Sequence, residues 1–158
     1  MALLQSRGRQ LDASLILKAS AAVTSSAAGT LILDLAPGDK PSPSDGDAEV
    51  WNGQAIINVT AMDIVSNDEA YTIVIQGSPD AAFGTAGNIK DLVQYHLGAK
   101  EIKLTDSDMD DAIGKHTINF SNYQNGVVYR YVRIYTVVAG TTPSITYSAY
   151  ASPFPPSN

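Results

Sequence analysis

The 158-residue chain contains no cysteine, which excludes disulfide frameworks, thiolate metal sites and cysteine nucleophiles. Histidine is nearly absent as well. His96 and His116 are the only two, in neither HxH nor HxxxH spacing, so a histidine-based metal site is not expected. A histidine-dependent triad would also need a nucleophile elbow, and the sequence has none. No catalytic residue and no cofactor is therefore expected. Basic charge is scarce: 10 Lys and Arg against 16 Asp and Glu leave a net charge of −6. The pI near 4.6 speaks against a nucleic-acid partner, which needs a basic stripe to displace counterions. No run approaches the ~20 apolar residues of a membrane span. The apolar run Leu11–Val23 is broken by Asp12 and Lys18, and no clean cleavage site follows it, so a secretory leader is not expected. Synthesis and use without export follow as the expectation.

Helical signals are few. The best is a short turn over Asp106–Gly114, with Thr105 or Asp106 as N-cap, acids in the first turn and Gly114 as the stop. The alternating acids of Asp106-Ser-Asp-Met-Asp-Asp111 resemble the opening of a calcium loop. However, the sixth position is Asp111 where glycine is required, and the twelfth is Thr117 where a bidentate glutamate is required. An acid-capped surface turn explains it better. Gly84-Thr-Ala-Gly87 lacks the lysine and the helix of a phosphate loop. The sequons at Asn58 and Asn119 fall in strand patterns and read as coincidence.

What the chain does have is β-pattern. With 44% apolar and 16% charged residues it suits a folded domain, long enough to bury roughly 70% of its unfolded surface. Strands are expected at Ser14–Lys18, Thr30–Leu35, Glu49–Trp51, Ala55–Val65, Ala70–Gly77, Leu92–Leu97, Lys115–Phe120, Val127–Val138 and Ser144–Ala151. Each is bounded by Gly, Pro, Asn, Asp or Ser. Ala55, Ile57, Val59, Ala61 and Val65 share one face of their strand, with Asn58 and Thr60 on the other. Ser66–Glu69 reads as a hairpin loop, and the last two strands read as a long antiparallel pair joined by Ala139–Pro143. The predicted class is an all-β antiparallel sandwich, a jelly roll, with a seven-stranded immunoglobulin-like sandwich as the alternative arrangement. The division is an extended N-terminal arm (1–10), the sandwich (11–151) and a proline-rich tail (152–158) that cannot prolong the last strand. Gly38–Gly46 is a surface loop by composition. No internal repeat is present.

The strand Val127–Val138 has no obvious water face. Val128, Val132, Ile134 and Val138 point one way, and Val127, Tyr129, Tyr131, Tyr135 and Val137 the other. Tyrosine offers rigid area plus a hydroxyl and is enriched at interfaces, so Tyr129, Tyr131 and Tyr135 form a candidate contact face. Ordinary core packing is the competing explanation. The arm Met1–Gln10 carries Arg7 and Arg9 without an acid, on an otherwise acidic body, which points to a separate partner for Leu3, Leu4, Arg7 and Arg9.

The run Ile73-Val-Ile-Gln-Gly-Ser-Pro-Asp-Ala-Ala-Phe-Gly84, followed by Tyr129-Arg-Tyr-Val-Arg-Ile-Tyr-Thr-Val-Val-Ala-Gly-Thr-Thr-Pro143, resembles the jelly-roll capsid cement (decoration) proteins of tailed bacteriophages. The likeness spans about Asn58 to Ala151. It departs at the acidic insert Asp106–Asp111 and the loop Asp39–Asp47, so loop contacts do not carry over. The resemblance implies a non-enzymatic virion protein, made in the host cytoplasm and bound to the outer capsid surface. Its implied partners are the phage major capsid protein and itself, as dimer or trimer, without nucleic acid or membrane. The alternative from another class is a carbohydrate- or receptor-binding sandwich of a phage tail or fibre. Exposed loop aromatics would favour that reading, whereas the one tryptophan here is Trp51.

Overall fold

The computed structural model describes residues 15–35, 50–99 and 111–153. Strands make up 66% of these residues and helix 4%, so the domain is an all-β antiparallel sandwich, as expected. The strands are β1 (Ile16–Val23), β2 (Ala27–Asp34), β3 (Asn52–Met62), β4 (Ala70–Ser78), β5 (Lys90–Gly98), β6 (Gly114–Ser121), β7 (Tyr123–Gln124), β8 (Val127–Val128), β9 (Tyr131–Ala139) and β10 (Ile145–Pro153). One four-stranded sheet runs β1-β10-β3-β6 and the other β2-β9-β4-β5, with β7-β8 as a separate ribbon. The ribbon turns at Asn125-Gly126, whose φ values of 52° and 83° are both positive, as its tight turn requires.

The core lies between the two sheets. Leu17, Ile57, Val59, Ile145, Tyr147 and Ala149 from the first meet Leu33, Tyr71, Ile73, Ile75, Val132 and Ile134 from the second. Period-two alternation is the reason: in β9, Val132, Ile134 and Thr136 are buried while Val137 is exposed. Polar groups buried with the core need partners. Tyr147 shares a hydrogen bond with Thr136 Oγ1, and Lys18, bent inward by the bulged β1, donates to the carbonyls of Ala19, Ala21 and Tyr147. Its ammonium also sits 4.4 Å from the Tyr147 ring centroid. Burial lowers the Lys18 pKa.

Several local expectations are corrected. The last two long strands do not pair: β9 and β10 lie in different sheets, and the same holds for β3 and β4. The connections 63–69 and 140–144 are therefore arches between sheets, not hairpin turns. Tyr71 stitches them together, its hydroxyl donating to Asp63 O (2.7 Å) and accepting from Ser144 N (3.0 Å). Asp68 adds bonds to Thr141 N and Oγ1, both at 2.9 Å. β3 stops at Met62 because Asp63 turns its carboxylate to Val65 N. An extra residue in β3 opposite the Thr146–Tyr147 step shifts the phase, so Ala61 is exposed and Met62 packs inward.

Val50 and Trp51 are not a strand; Trp51 tilts onto Phe120 with ring centroids 4.7 Å apart. β10 continues through Ser152 and Pro153, opposite Gln54 and Gly53. Proline is tolerated there because the β1 pairing reaches no further than Tyr150, which leaves that end of β10 with one partner. Asp111–Ile113 are not helical. Asp106–Asp110, the arm, the 38–46 loop, Glu49 and Phe154–Asn158 lie outside the described residues.

Candidate functional site

The outward face of the β2-β9-β4-β5 sheet gathers the chemistry. Three cross-strand rows build it: Asp34, Tyr131 and Ser78; Ile32, Arg133 and Gln76; Ala28, Tyr135 and Val74. Tyr131, Arg133 and Tyr135 are half-buried, being on a strand flanked on both sides, whereas Ile32 and Val137 are exposed. A polar chain crosses the sheet. Arg133 Nε donates to Gln76 Oε1 (3.1 Å), Gln76 Nε2 to Asp91 Oδ1 (2.9 Å), and Gln94 Nε2 to Asp91 Oδ2 (3.2 Å).

The loop after β4 folds back over this chain. Asp80 organises it: its carboxylate accepts from Ala82 N and Gly84 N, and its carbonyl from Phe83 N. Ser78 Oγ accepts from Asp80 N (3.0 Å), starting the turn. Phe83 then adopts φ 49° and lays its ring 4.1 Å from the Arg133 guanidinium carbon. Phe83 is buried. Arg133 loses water in this sandwich, and that desolvation lowers its pKa. At the strand end, Arg130 grips Asp34 with a two-pronged fork (2.8 and 2.7 Å) and lies over the Tyr131 ring. That hydrogen bond raises the Arg130 pKa.

The predicted tyrosine face is only partly assembled. Tyr131 and Tyr135 do share the outward face, but Tyr129 does not. The strand breaks at Tyr129–Arg130, so parity is lost between β8 and β9. Tyr129 packs instead over Gly77, an inward position of β4, where a Cβ would stand 2.7 Å from Tyr129 Cβ. Asn122 causes the break. This wholly buried side chain accepts from Trp51 N (2.7 Å) and donates to Tyr129 O (3.1 Å), while Asn122 O accepts from Tyr129 N (2.8 Å).

Leu3, Leu4, Arg7 and Arg9 lie outside the described residues. Arg133 was missed as a face residue although it stands between Tyr131 and Tyr135 at the same parity. Phe83 was missed because only the Asp80 turn brings it over the sheet.

His96 and His116 are separate from each other. His96 Nδ1 meets Thr72 Oγ1 (3.0 Å) at the far side of the same face, whereas His116 bridges Tyr95 Oη (2.9 Å) and Ala112 O (3.1 Å). Among the described residues no group of three or more His, Asp or Glu is placed to hold a metal. No helix among them is long and apolar enough to cross a membrane. What the face offers is contact: two rings, a stacked guanidinium and flanking aliphatic groups, supported by fixed hydrogen bonds. No protein-family model matches the chain, and no curated protein matches it.

Proposed function

We propose that this chain is a non-enzymatic virion protein that binds the outer surface of a phage head and cements neighbouring major capsid subunits. The observation that carries the reading is a convergence. Gln76–Phe83 and Tyr131–Tyr135, drawn from the two stretches that carry the resemblance to cement proteins, are more than forty residues apart yet meet on one outward face. The strand orders β1-β10-β3-β6 and β2-β9-β4-β5 support reading the sandwich as a jelly roll, since every long connection except β4–β5 changes sheet.

The face suits a flat partner: rigid tyrosine area for apolar contact, with the guanidinium available to a carboxylate. Cementing needs at least two contacts per copy, and the second then forms intramolecularly at high effective concentration. The arm with Leu3, Leu4, Arg7 and Arg9 is the proposed second contact, and self-association near a capsid symmetry axis multiplies both.

Cosedimentation with purified heads tests the proposal. Tyr131→Ser combined with Tyr135→Ser should fold normally and lose head binding. Deletion of residues 1–10 should weaken binding with little change in melting temperature. Full-strength binding by the double variant would overturn the assignment of the face. Binding to glycans in place of heads would favour the receptor-binding alternative.

A further inference from the structure

The four edge strands of the sandwich are not alike. β1 carries extra residues on both sides of Lys18, β2 carries extra residues between Ala28 and Ile32, and β5 carries one at Leu92. Such bulges twist an edge and spoil it as a template for another chain. On β1 the Lys18 ammonium additionally ties up the carbonyls of Ala19 and Ala21. β6 has no such device: it pairs with β3 from Asn52↔Ser121 to Val59↔Gly114 without a single register shift. Its far edge meets no other strand among the described residues. It is also tied to the opposite sheet, because His116 bonds Tyr95 and the Asp111 carboxylate just before it accepts from Gly98 N.

We propose that β6 is a pairing edge whose occupant is β6 of a second copy, antiparallel about a two-fold axis near Ile118. The sequence of the strand is compatible with itself in that register. Lys115 falls opposite Ser121 and Thr117 opposite Asn119, so no like charges meet. The flanks fit too. Ile113 and Tyr123 are 61% and 49% exposed and lie equally far along the chain from Ile118, so each Ile113 faces the partner's end that bears Tyr123. One patch thus serves both copies, as a closed two-fold contact requires. The two β1-β10-β3-β6 sheets would join into one continuous sheet, a form of strand addition. This gives the self-association proposed above a definite interface. It is tested on the isolated protein, so it can fail while head binding stands, and the reverse.

Sedimentation velocity across a wide concentration range should show a monomer–dimer equilibrium. Thr117→Lys combined with Asn119→Lys sets lysines opposite one another twice in the dimer and should weaken it by roughly tenfold or more. Both positions are exposed, and far-UV circular dichroism should be unchanged. Cysteine provides a second measurement, since the chain has none of its own. A mixture of Thr117→Cys and Asn119→Cys proteins should form a covalent dimer under mild oxidation, whereas neither alone should do so efficiently. Monomer at every concentration would overturn the proposal. So would a dimer indifferent to the lysine pair, or a mixture that cross-links no better than its components.

Discussion

Replacing Tyr147 by Phe should make the protein less stable near neutral pH and more stable in alkali. Tyr147 is fully buried and hydrogen-bonded to Thr136, and burial pushes its phenol up to about 12. In the unfolded chain the phenol ionises near pH 10. Above that pH the unfolded state loses its proton while the folded state retains it, so stability falls as pH rises through this window. With those two values, the loss is of order 1 kcal/mol at pH 11 and approaches roughly 2–3 kcal/mol beyond pH 12. The Phe variant escapes this loss but leaves the Thr136 hydroxyl without its partner, a cost of about 1 kcal/mol at all pH values.

The two stability curves should therefore cross near pH 11. Burial raises the Tyr71 phenol too, and the lowered Lys18 pKa works in the opposite direction, adding stability as pH rises toward its ordinary value. Both groups are present in both proteins and cancel in the difference. Urea unfolding followed through Trp51, the single tryptophan, measures that difference directly. A gap between wild type and variant that stays constant from neutral pH to pH 11 would refute the reasoning.

Asn122→Ala removes the side-chain bonds to Trp51 N and Tyr129 O from a wholly buried site and strands those two groups, so urea unfolding should show a loss of about 2–4 kcal/mol. Gly77→Ala sets a methyl group against Tyr129 and should cost about 1–3 kcal/mol; Tyr129→Ala in the same chain should relieve part of it, and strict additivity would show that the two do not touch. Phe83→Ala should leave the fold cooperative yet weaken head binding, because Arg133 loses the ring that holds its guanidinium in place; unchanged binding would remove Phe83 from the face.

The positions of the strands were largely legible because alternation is a local signal. Ala70–Gly77 was expected and Ala70–Ser78 is observed; Lys115–Phe120 was expected and Gly114–Ser121 is observed. Partners were not legible. Gly140–Pro143 and Ser66–Glu69 have the composition of hairpin turns, yet each joins strands of opposite sheets. Turn residues report that the chain reverses. They do not report whether it reverses within a sheet or across the core, which here depends on Tyr71 and Asp68 tying the two arches to each other. The inward swing of Lys18 was equally hidden, since a charged residue in an apolar run reads as an interruption until the bulge supplies its carbonyls.

The candidate face shows where a parity argument holds and where it stops. Within β9 alternation is unbroken from Tyr131 to Thr136, so Tyr131 and Tyr135 fall together and Arg133 must fall with them. Tyr129 is two residues upstream and would join them in a continuous strand. Asn122 prevents that by taking the Tyr129 carbonyl for itself, and a side chain seven residues away leaves no trace in the alternation pattern. The same limit explains Phe83: its place over Arg133 is decided by the Asp80 carboxylate collecting the amides of the loop. An interaction face on a sheet is thus built in two steps, with strand register setting its rows and side-chain bonds in the neighbouring loops deciding which aromatic residues finish on it. In this chain the second step removes one tyrosine from the outward face and lays one phenylalanine over it, so Arg133 lies against the Phe83 ring in a row bordered by Tyr131 and Tyr135.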